Sequence, residues 1–241
     1  MKLLVWFIPL GLLFFLVAAL AQRRAYRTFP FFFTYVTFAV AADLARFAAL
    51  GHQHSYRITY WTTEAGYDIL GILVMYEVLR SVLGSLARAR WTRLILPILI
   101  IVGVGLSVAH RQAVPPKVTG FLVYIVLGEI AVRFVQVLVF AGLVTLVPLI
   151  GLRWRQYPFG VATGFGLYAT VMLLTTIEFS DFGTRFKFLW GITSLVAYSV
   201  AVSIWIWFFS VPQRLETPDS TLSAPSPGEL KDYKDALRRM R

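Results

Sequence analysis

Seven apolar runs, each close to the length of a membrane-crossing helix and separated by basic residues, divide most of this chain. About 20 residues of helix cross the hydrocarbon layer of a bilayer. The runs are Leu3–Ala21, Phe29–Leu50, Ile58–Leu79, Leu94–Ala109, a fifth centred on Phe134–Leu152, Gln156–Ile177 and Phe188–Val211. Of the 241 residues 58% are hydrophobic and only 15% are charged, and a soluble domain of this size has too little interior to hide so much apolar surface. The expected fold is therefore all-α, a polytopic bundle of seven transmembrane helices over residues 1–211. Beyond Pro212 the composition turns to Pro, Ser, Glu and Lys, which reads as a polar tail over residues 212–241 ending in a short amphipathic helix, Glu229–Arg241. Ala19-Leu20-Ala21 has the small-residue pattern of a signal cleavage site. The run before it is longer than a signal core and a basic cluster follows, so it is read as a span.

The net charge of +11 would suggest nucleic acid on a solvated basic face, but here the basic residues sit between apolar spans and report topology. Short loops rich in Lys and Arg stay in the cytoplasm. The loops after spans one, three and five hold Arg23, Arg24 and Arg27, then Arg80, Arg88, Arg90 and Arg93, then Arg153 and Arg155, and Arg214 follows span seven. The other side holds Lys2, Arg57, Arg111, Lys117, Arg185 and Lys187. The N-terminus is thus expected outside and the C-terminus in the cytoplasm of a cell membrane, with the lipid bilayer as partner and no nucleic acid.

An internal repeat accompanies this topology. Tyr26-Arg27-Thr28-Phe29-Pro30-Phe31 matches Trp154-Arg155-Gln156-Tyr157-Pro158-Phe159 at a constant offset of 128 residues, and Trp61 falls near the same register as Trp190. Proline suits the first turn of a helix, where its missing N–H is not needed. A real repeat implies three spans, a linker span and three more in parallel orientation; otherwise the two turns share only what any bilayer turn uses. The arrangement is similar in outline to the seven-span sugar facilitators built of paired three-helix units. Their paired Pro-Gln signature is absent, since the single Pro212-Gln213 lies at the end of span seven. In Arg27-Thr28-Phe29-Pro30-Phe31-Phe32-Phe33-Thr34-Tyr35, Tyr60-Trp61 with Glu64, and Tyr76-Glu77 with Arg80, the chain resembles a group of uncharacterised seven-span bacterial integral membrane proteins. That resemblance covers spans two and three, implies a bacterial inner membrane and carries no function.

Ionisable residues at mid-helix cost about 2.5–3.5 kcal/mol each on insertion scales and are functional candidates by default. Five of the twelve acidic residues lie beyond Val211; the other seven fall in or near the spans. The orientation above puts most of these in the outer half: Asp43 and Arg46 near the end of span two, Glu64 and Asp68 in span three, Glu129 and Arg133 at the start of span five, and Glu178 and Asp181 at the end of span six. Glu64 and Asp68 are four apart, and Tyr60, Tyr67 and Gly71 share their helical face, which places span three at the centre of the bundle. Two readings stand. In one, Asp43 with Arg46 and Glu129 with Arg133 are structural pairs that fix register. In the other, Tyr60, Trp61, Glu64, Tyr67 and Asp68, with Asp43, Arg46, Glu129 and Arg133, line a water-accessible pocket open to the outside. Glu77 and Arg80, three apart at a helix end, read as a snorkelling anchor.

His52, His54 and His110 are all expected on the outer side, and a His-x-His pair holds zinc or copper only if a third ligand such as His110 or Glu64 joins it. No cofactor is expected: Lys187 lies at the edge of the last span, where no retinal Schiff base forms, and no histidine lies within a span to ligate haem. Cysteine is absent, which removes disulfides and thiolate chemistry. No phosphate loop, nucleophile elbow or His-Glu-x-x-His helix occurs, and no enzyme is expected. The functions left are a carrier or binding protein for a small polar or cationic solute, a receptor signalling through a cytoplasmic protein partner, or a structural subunit or homo-oligomer.

Overall fold

Hydrocarbon offers no partner for a backbone N–H or C=O, so a crossing segment pairs its own, and the α-helix does this for an apolar sequence. The computed structural model describes residues 2–83, 94–111, 114, 119–149, 156–182 and 187–211, with side chains at 7–83, 94–111, 114, 119–145, 148–149, 157–176 and 192–211. Apart from a short 3-10 turn at Ala25–Arg27, the regular structure there is α-helical: α1 Lys2–Gln22, α2 Pro30–Ala49, α3 Gln53–Leu83, α4 Ile95–Ala109, α5 Phe121–Leu149, α6 Gln156–Phe182 and α7 Lys187–Ser210. Expectations for the arginines at 88, 90, 93, 153, 155 and 185, for Lys117, for the side chains of Glu178, Asp181 and Trp190, and for the tail fall outside the described residues.

Among the described residues four stretches are long and apolar enough to cross a membrane: Pro30–Ala49, Phe121–Thr145, Tyr157–Thr176 and Ile192–Ser210. Phe7–Gln22 and Ile95–Ala109 are apolar but shorter. Two boundaries correct the sequence reading. The fifth helix starts at Phe121, so Glu129 and Arg133 lie eight and twelve residues inside it rather than at its start; their mutual ion pair lets the helix continue through both charges. The third helix has 31 residues, longer at both ends than the run Ile58–Leu79.

Sequential helices pack side by side, and α1 also packs on α7 while α3 packs on α5. Hydrocarbon provides no hydrophobic drive between helices, so close van der Waals fit must hold them. Gly160 and Gly164 form a small-xxx-small face on α6: a Cβ at Gly164 would overlap the Trp205 indole, and one at Gly160 the Phe208 ring. Phe32, Phe165, Trp205 and Phe209 form a fully buried aromatic cluster, with Phe32 stacked on Phe209 at 5.5 Å and edge-on to Trp205 at 5.2 Å. Phe29 and Tyr157, the matched positions of the two proline turns, meet edge-to-face at 6.4 Å, and Tyr157 stacks on Phe209 at 4.8 Å.

Glu77 is not a snorkelling partner of Arg80. Arg80 is exposed, whereas Glu77 is 8% exposed and accepts hydrogen bonds from the backbone N–H groups of Phe31 at 3.0 Å and Phe32 at 2.9 Å. The first N–H groups of a helix lack an intrahelical acceptor. In α2 Pro30 has no N–H, Glu77 takes the next two, and Phe33 N–H donates to the Phe29 carbonyl. A carboxylate at a helix N-terminus is also favoured by the helix dipole.

Candidate functional site

Two guanidiniums, Arg133 buried and Arg46 partly buried, organise the interior. Arg46, on the last turns of α2, donates to Glu64 Oε1 at 3.0 Å and from Nε to Thr63 Oγ1 at 2.8 Å. Thr63 in turn sits over the carbonyls of Thr59 and Tyr60 as donor. The Arg46 guanidinium carbon lies 4.8 Å from the Tyr60 ring centroid and 5.5 Å from that of Tyr67, within cation–π range. Asp43 is therefore not the partner of Arg46: a carboxylate one helix away, on α3, takes that place. Arg133 pairs with Glu129 one turn earlier on α5, as its spacing predicts, and stands 5.4 Å from the Tyr168 ring. Arg133 is only 9% exposed, and its Nη1 has no hydrogen-bond partner. A buried donor left bare costs about 1–3 kcal/mol, more when charged.

Between these two centres lies a cavity of about 300 Å³. Its walls bring together Asp43 and Arg46 from α2, Glu64, Tyr67 and Asp68 from α3, and Glu129 and Arg133 from α5. Glu64, Tyr67 and Asp68 do form one stripe; Gly71, a turn further on, receives Val132 and Gln136 of α5. Tyr60 and Trp61 do not line the cavity. Tyr60 stands behind Arg46, and Trp61 packs edge-on to Tyr60 at 5.3 Å. The cavity also takes in Tyr35, Tyr56, Gln136, Tyr168 and Tyr198, none of them singled out from the sequence. Gln136 was accessible to the same reasoning, since 129, 132, 133 and 136 follow one helical face. Tyr168 and Tyr198 each stand in an apolar stretch with no charged neighbour along the chain, and their rings meet at 5.7 Å only through the packing of α6 on α7.

The lining holds four carboxylates against two guanidiniums, both already paired, and among the described residues neither Asp43 nor Asp68 has an ion-pair partner. Asp68 faces α5 at Gly128, with Oδ2 3.5 Å from where a Cβ there would stand. Among the described residues no group of three or more His, Asp or Glu side chains is placed to hold a metal ion. His52 and His54 are exposed, and His110 Nδ1 lies 2.9 Å from the Leu106 carbonyl.

Comparison with protein-family models, with curated proteins and with solved structures gives no match. The apolar helices and their packing define the class: a multi-pass helical integral membrane protein.

Proposed function

We propose that this protein is a seven-span carrier or binding protein for a small polar or cationic solute in a cell membrane, with its N-terminus outside, its C-terminus in the cytoplasm and a 3+1+3 repeat. One observation carries the reading: among the described residues six of the seven helices converge on a polar, tyrosine-lined cavity in which two carboxylates lack counter-charges, and α4 is not in its lining. Ionisable groups inside a bilayer are costly and mark substrate or ion pathways. The absence of α4 from the lining fits a linker span. The repeat draws further support from the packing of the helices. The packing of α1 on α7 and of α5 on α3 is the exchange that a two-fold axis along the membrane normal produces.

The absence of native cysteine makes the test direct. In Leu195→Cys, a cavity-lining position, a cationic methanethiosulfonate reagent is expected to react at least tenfold faster than its anionic counterpart in intact membranes. Asp68→Asn in that background should shrink the ratio. Reaction from both faces of the membrane marks a carrier; reaction from one face marks a receptor-type site. A cysteine inert to both reagents would leave only paired structural charges and overturn the reading.

A further inference from the structure

The bare donor and the bare acceptors lie in one cavity. Arg133 Nη1 has no acceptor, on a side chain nine-tenths buried that lines the cavity. Asp68 has no cation among the described residues and abuts α5 at Gly128, directly before Glu129 and little more than one turn before Arg133. Glu129 accepts from Nη2 of Arg133 and leaves Nη1 without an acceptor. A simple anion entering here would meet two carboxylates that have no ion-pair partner among the described residues. A simple cation would serve Asp68 and leave Nη1 bare. A molecule carrying both charges serves Asp68 and Nη1 together, each of its charges meeting a partner on burial, and leaves Asp43 as it stands. The volume, about 300 Å³, is at the small end of ligand cavities.

Resting on the reading of this cavity as a ligand site, we infer that the ligand is a small zwitterion of amino-acid size, its ammonium at Asp68 and its carboxylate at Arg133 Nη1. The Tyr168 side chain, its ring 5.4 Å from the guanidinium, walls the cavity beside the charged ends.

The test uses four probes on the full-length protein in lipid nanodiscs, followed by titration calorimetry: norleucine, pentylamine (the same skeleton without the carboxylate), hexanoate (without the ammonium) and lysine. Norleucine is expected to bind at least tenfold more tightly than pentylamine or hexanoate. Asp68→Asn should erase its advantage over hexanoate. Arg133→Lys, which keeps a cation beside Glu129 but removes the forked donor, should erase its advantage over pentylamine. Pentylamine or lysine binding tightly with hexanoate and norleucine silent would make this a cation site and overturn the inference. Hexanoate matching norleucine would overturn it from the other side. If no probe binds while Leu195→Cys still reacts with the thiol reagents, the zwitterion is wrong and the cavity reading stands; if that cysteine is inert, both fail.

Discussion

At the scale of single residues, Glu77 does a task that its neighbours in sequence do not reveal. Its two carboxylate oxygens each accept one backbone N–H from the start of α2, 46 and 45 residues away. Alanine there would strand two N–H groups in an apolar setting, each worth about 1–3 kcal/mol. Glu77→Ala is therefore expected to lower the unfolding free energy by roughly 2–5 kcal/mol, read as a drop in thermal midpoint in detergent. Glu77→Gln keeps one carbonyl oxygen and should lose about half as much; equal stability of the alanine variant and the wild type would show that the cap is dispensable. The spacing of Glu77 and Arg80 suggested a surface pair because adjacent charges on one helix are visible in a sequence, whereas a cap supplied from another helix is not. The same limit applies to Arg46. Asp43 is three residues away along the chain, yet Glu64, eighteen away, is brought against it by the turn between α2 and α3.

At the scale of elements, boundaries were most legible where backbone chemistry marks them. Pro30 opens α2 within one residue of the expected start. The stripe Glu64, Tyr67, Asp68 on α3 followed from helical period alone, and it lines the cavity. The start of α5 was misplaced because two opposite charges four apart resemble a boundary in composition and cancel within a helix. The contact of α6 with α7 rests on glycine. Gly164 lets the Trp205 indole lie against the helix backbone, where Trp205 Nε1 donates to the Val161 carbonyl at 3.3 Å. Gly164→Leu should cost about 3 kcal/mol or more by overpacking, with Gly164→Ala smaller but in the same direction. Gly142 is the control: a Cβ there meets nothing within 4 Å, so Gly142→Ala should be neutral or stabilising by up to about 1 kcal/mol, since alanine is the better helix former. A Gly164→Leu variant with an unchanged thermal midpoint would mean that α6 and α7 can separate freely.

At the scale of the whole molecule, the charges along the chain and the packing of its helices bear on one question, which ends of the helices share a side of the membrane. Thr28 precedes α2, Leu149 ends α5 and His54 lies just inside α3, and all three are exposed. If the basic loops are cytoplasmic and the second half repeats the first in parallel, then Thr28 and Leu149 face the cytoplasm and His54 faces outside. Single cysteines at these positions, in a chain that has none of its own, report this with a membrane-impermeant maleimide. His54→Cys is expected to label in intact cells, and Thr28→Cys and Leu149→Cys only after permeabilisation. All three patterns reversed would keep the bundle and invert it, so that the arginine excess lies outside. Thr28→Cys and Leu149→Cys labelling from opposite sides would break the repeat itself, because α1 and α5 would then run in opposite directions and their reciprocal packing on α7 and α3 would no longer follow from a two-fold axis.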